Sequence, residues 1–219
     1  MPRAAKVAGR AANIQSTRNF VPPGILALLR TGILHKGGAL VVAQAPLREL
    51  SAERKVWLRK SKGGPNMRVE ERLKELGVEL PEPAKPVAAY IPFSRSGNLV
   101  FISGQDCRVN GELKYKGKVG KDVSEEEAYD AARIVAINLL AILKSAVGDL
   151  DKVKRIVNLH GYVNSAKGFV RQPMVINGAS EFLVEVFGDK GKHSRCALSC
   201  NELPFDTPVE IEMVVEVED

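Results

Sequence analysis

From residue 67 onward, apolar and polar residues alternate in short, regular patterns that predict a sequence of compact elements. The run VEERLKELGV (69–78) predicts a short helix closed by Gly77, and the proline-rich PEPAKP that follows is a connector. VAAYIPFS and NLVFISGQ predict two strands joined at Arg95-Ser96-Gly97-Asn98, a hairpin signal. A polar, glycine-containing loop covers 106–123. The clearest helix lies beyond it. Ser124 and Glu127 form a Ser-x-x-Glu capping box, and Ala128, Ala131, Val135, Leu139, Ile142 and Leu143 make one apolar face before Gly148 ends it.

DKVKRIVNLHGYVNS is β-rich and predicts a strand with Arg155, Val157, Leu159, Gly161 and Val163 on one side. RQPMVINGASEFLVEVFGDKG predicts a second helix with Pro173 near its first turn and Ile176, Ala179, Leu183 and Val186 on its apolar face. SRCALSC and VEIEMVVEVE close the chain as strands. The economical architecture for this order is an α+β domain, with two helices on one face of a mixed sheet.

Charge changes the picture at the N-terminus. Residues 1–66 hold 12 Lys/Arg against 2 Asp/Glu, a net +10, whereas 67–219 hold 20 against 24, a net −4. The overall +6 therefore belongs to the extension, and the acidic folded part argues against nucleic-acid binding. The extension lacks clean periodicity, and its composition is compatible with an organellar transit peptide. A competing expectation is that translation starts at Met67. Lys62-Gly63-Gly64 is encoded by AAR-GGN-GGN, which accommodates a bacterial ribosome-binding sequence a few nucleotides upstream of that codon. The expected organisation is a basic extension (1–66) and one folded domain (67–219).

Cys107, Cys196 and Cys200 contain no Cys-x-x-Cys. On one strand, Cys196 and Cys200 would lie about 13 Å apart, beyond disulfide or shared-metal reach. Free thiols in a reducing compartment are the expectation, so the chain is expected in the cytoplasm, or in an organelle if 1–66 is a genuine leader. FVPPGILALLRTGILHKGGALVVAQA is broken by Pro22-Pro23, Arg30 and His35-Lys36, short of the ~18 residues a membrane span needs.

Two residues raise the question of chemistry. Arg195 sits in SRCALSC with no acid within five residues on either side. On its face Ala197 and Ser199 are small, leaving expected space above the sheet for a carboxylate ligand held by the guanidinium fork. The alternative is a solvated strand-end arginine paired with a distant acid. Glu210 alternates with Val209 and Ile211. It is either part of a solvated face with Glu212, Glu216 and Glu218 or a carboxylate that orients water.

The constellation is more specific than its parts. Arg195, then Leu203-Pro204 eight and nine residues on, then VEIEM, with AAYIP and LVFISGQ near the domain start, resembles the YjgF (Rid) family of enamine and imine deaminases. The resemblance covers roughly residues 85–219 and implies a chorismate-mutase-like α+β fold, homotrimers and sites at subunit boundaries. It further implies that Arg195 binds the substrate carboxylate and Glu210 positions water, with Tyr90, Ser103, Gly104 and Asn177 lining the pocket. The implied reaction is hydrolysis of 2-imino acids to 2-keto acids and ammonia without metal or cofactor. A non-catalytic trimeric binder of small carboxylates, or the endoribonuclease and translation-inhibitor activity also linked with the family, are the alternatives. Ala197 stands where commoner members carry Cys, and the long 106–123 loop marks a divergent branch.

Overall fold

The computed structural model describes residues 68–83 and 89–218; the basic extension (1–66), part of the proline-rich connector and the expected strand start at Val87-Ala88 lie outside them. Helix α1 (Val69–Glu75) is followed by strands β1 (Phe93–Ser96) and β2 (Leu99–Gln105) and the small ribbon β3 (Arg108–Val109) and β4 (Glu112–Leu113). Then come α2 (Glu125–Val147), β5 (Val153–Asn164), α3 (Gln172–Phe187), β6 (Ser194–Cys200) and β7 (Val209–Val217). The main sheet has the order β1-β2-β7-β5-β6, parallel only between β5 and β6. That parallel pair requires a crossover, which α3 supplies.

The local signals act as expected. Gly97, at φ +58°, makes the tight β1–β2 turn. The Ser124 hydroxyl accepts from Glu127 N at 3.1 Å while Glu127 Oε2 accepts from Ser124 N at 2.8 Å, closing the capping box of α2. α2 and α3 bury their apolar faces against one side of the sheet. Leu139, Ile142, Ile176 and Leu183 meet Ile102, Leu159, Ile211 and Met213 in a continuous core. The short α1 packs beside them, with Val69 and Leu73 buried and Arg72 Nε donating to Glu185 O.

Two expectations are corrected. The first strand begins only at Phe93, so Tyr90, Ile91 and Pro92 precede the sheet; Pro92 has no N–H to give a ladder. The buried side of β5 is not the alternation through Arg155 and Val157. Register shifts against β7 between Val153 and Arg155 and between Ile156 and Asn158 reset the phase. Ile156, Leu159, Gly161 and Val163 are therefore buried, while Arg155 pairs with Glu216 at 2.7 Å.

Candidate active site

The sheet has a helix-covered face and an open face, and the two candidate catalytic residues take different sides. Arg195 stands opposite the buried Leu159 in the β5–β6 register, on the helix side. Its Nη1 donates to Ser180 Oγ at 2.9 Å and its Nη2 to the Pro173 carbonyl at 3.0 Å, both on α3. Both acceptors are neutral, and no carboxylate among the described residues forms an ion pair with it. Burial pulls its pKa down, partly countered by the field of Glu181. The guanidinium fork is thus oriented by neutral oxygens of α3 rather than by an ion pair.

Asn177 is half-buried on α3, four residues after Pro173 and three before Ser180. Helical spacing places it on the stripe that flanks the guanidinium. The space expected above Ala197 is partly covered. α3 covers this part of β6, and Ala197 packs against the core; only Ser199, farther along, is exposed.

Glu210 faces the other way, beside Tyr162 of β5 in the open-face row. It makes no hydrogen bond or ion pair among the described residues. Burial first, then the carboxylates of Asp106 and Glu212, push its pKa up. A carboxylate whose charge is disfavoured this way is a stronger proton acceptor than one in water.

SGQ (103–105) forms the end of β2 and carries a bulge. Ile102 faces Met213 and Gln105 faces Ile211, so one extra residue sits in β2. Gly104 lies in that bulge, and a Cβ there would collide with Glu210 Oε1. Glycine is thus what allows the carboxylate to rest against the β2 backbone. Replacing Gly104 with Ala is expected to displace Glu210, and any imine hydrolysis that depends on this carboxylate should fall about 10- to 100-fold. Keto-acid affinity and the thermal midpoint should stay near wild type; steady-state kinetics, calorimetry and a melting curve check this.

Ser103 supports the same corner. Its hydroxyl donates to Ile91 O at 2.8 Å and its N–H to Pro92 O at 3.0 Å. Those bonds fasten the segment carrying Tyr90, a residue 46 % exposed. Glu210, Gly104, Ser103 and Tyr90 thus belong to the β2–β7 side of the molecule, and Arg195 and Asn177 to the β6–α3 side. Between Arg195 and Glu210 lie one intervening strand and three residues of register. That is about 14 Å between Cα atoms, with the side chains on opposite faces. One chain does not bring them to a single small ligand.

Sequence reasoning missed two residues. Ser180, the acceptor of Arg195, also bonds His193 Nε2 at 2.9 Å, and His193 Nδ1 bonds Gly191 O at 2.7 Å. A hydroxyl on a helix and a histidine at a strand start carry no mutual signal until the crossover brings them together.

The model of the family described as "YjgF/chorismate_mutase-like, putative endoribonuclease" matches residues 70–217, nearly the whole described domain. The chain belongs to this YjgF family. Protein TCP17 of Trypanosoma cruzi is 38% identical over 151 residues, covering 68% of this chain and 94% of that protein. Among solved structures, Atu1372 of Agrobacterium tumefaciens, of unknown function, is 44% identical with a TM-score of 0.64, covering 69% of this chain and 94% of its own. A Shewanella oneidensis MR-1 protein carrying the same endoribonuclease description is 34% identical with a TM-score of 0.68, covering 69% of this chain and all of its own. The YjgF fold expected from the sequence is thus the fold of this chain, while the names of these relatives leave the reaction open.

Proposed function

We propose that this YjgF protein hydrolyses 2-imino and enamine acids to 2-keto acids and ammonia at a site shared between copies of the chain. Arg195 of one copy binds the carboxylate and Glu210 of another positions the water. The observation that carries the reading is the half-buried Arg195 guanidinium, fixed by hydrogen bonds to two neutral oxygens rather than to a carboxylate. A fork held open in this way suits a planar carboxylate next to the reacting carbon.

The chemistry needs little more. Glu210 accepts a proton from water as the water oxygen bonds to the carbon of the protonated imine, and the C=N electron pair moves to nitrogen, giving a neutral carbinolamine. The protonated carboxyl of Glu210 returns its proton to that nitrogen; the C–N bond then breaks, ammonia leaves, the C=O of the keto acid forms, and the hydroxyl proton passes through the Glu210 carboxylate to the departing ammonia as ammonium. The raised proton affinity of Glu210 suits both halves of this exchange. Ribonuclease action finds less support, because Glu210, Asp106 and Glu212 together repel a phosphate.

The test is release of 2-keto acid and ammonia from imino acids generated in place by an amino-acid oxidase, using the full chain. Acceleration above the buffer rate is expected across several side chains. Saturable keto-acid binding without any acceleration would instead leave a carboxylate-binding protein.

A further inference from the structure

The Arg195 side chain has four rotatable bonds, and a mobile guanidinium loses much of its binding strength to ordering. In this chain the ordering is built in. The carbonyl of Gly191 only accepts, so His193 carries its proton on Nδ1 and presents the Nε2 lone pair to Ser180. The Ser180 hydroxyl spends its single proton on His193, which leaves its oxygen free to accept from Arg195 Nη1. Each bond thus sets the direction of the next, from backbone carbonyl to imidazole to hydroxyl to guanidinium. Burial and the neighbouring Arg195 charge lower the His193 pKa, keeping the imidazole in the neutral form this chain of bonds requires. The Pro173 carbonyl holds the second nitrogen of the fork.

We propose that Ser180 and His193 are positioning residues that lock the Arg195 fork in its carboxylate-binding orientation through the ordered relay Gly191 O–His193–Ser180–Arg195. The inference rests on the reading of Arg195 as the carboxylate anchor. Neither residue touches substrate; both act through the guanidinium. His193→Gln retains an acceptor oxygen near the place of Nε2, whereas His193→Phe fills the space with no acceptor. Ser180→Ala removes the hydroxyl without adding bulk.

The test uses the full chain with 2-oxobutanoate as probe and two readouts, calorimetric affinity and the Nε–H resonance of Arg195 in nitrogen-15 spectra. Ser180→Ala and His193→Phe are expected to raise Kd roughly 3- to 10-fold and to collapse the resolved Nε–H signal into the solvent-averaged envelope. His193→Gln is expected to restore both toward wild type. If Ser180→Ala leaves affinity and signal unchanged while Arg195→Ala abolishes binding, the relay is wrong and the anchor reading stands. If Arg195→Ala itself binds the probe as wild type does, both fall. The resonance reports on the arginine directly, so a fold weakened elsewhere would not imitate its selective loss.

Discussion

Arg195→Ala is expected to abolish measurable binding of 2-keto acids and, with it, imine turnover at working substrate levels. Truncating one partner of a hydrogen-bonded charge pair costs about 2–5 kcal/mol, so Kd should rise about 30-fold or more. The fold should survive the change, because Arg195 bonds neutral oxygens on α3 and supports no ion pair. Arg195→Lys separates charge from shape. It keeps the cation but offers no planar fork, and about a tenfold loss is expected where a purely electrostatic site would show little. Calorimetry with a 2-keto acid measures both. Wild-type affinity in the alanine variant would remove Arg195 from the site.

Glu210→Gln is expected to separate binding from chemistry. Removing the base should lower kcat by about 10²- to 10⁴-fold, while keto-acid affinity changes little because the anchor lies elsewhere. The same substitution should not destabilise the protein. The folded pKa of Glu210 lies above its unfolded value, so its charge is a burden on the fold. Stability is then fullest below the unfolded pKa of an ordinary glutamate and falls as pH rises through the raised folded value. Glutamine removes that loss. Denaturant curves at acid and neutral pH are expected to show the wild type declining relative to Glu210→Gln as pH increases. A variant that is inactive and also markedly less stable at neutral pH would make Glu210 a structural residue.

Much of this molecule was legible from its residues because the relevant physics is local. The capping box at Ser124, the glycine turn at Gly97 and the apolar faces of α2 and α3 each follow from a few neighbouring positions. Strand phase was harder. Alternation along VKRIVNL assigns the wrong residues to the core because two bulges shift β5 against β7, and a bulge is a property of the pair. The relation between Arg195 and Glu210 failed to show for the same reason. Each alternates sensibly within its own strand, but the face they share or do not share is fixed only when β6, β5 and β7 pair in register. Family resemblance supplied the two residues as a set; the pairing places them on opposite sides of one sheet. The Ser180–His193 relay depends on a helix crossing over a parallel strand pair, a contact that no spacing rule addresses.

This division makes the claim of a shared site testable in one measurement. Arg195→Ala and Glu210→Gln chains, each inactive alone, are co-expressed in equal amounts, purified as mixed assemblies and assayed for imine turnover. If every site takes Arg195 from one copy and Glu210 from another, random assembly leaves about a quarter of the sites with both native residues. The predicted result is therefore recovery to about one quarter of the wild-type rate. Mixed assemblies as inactive as either parent would contradict the account.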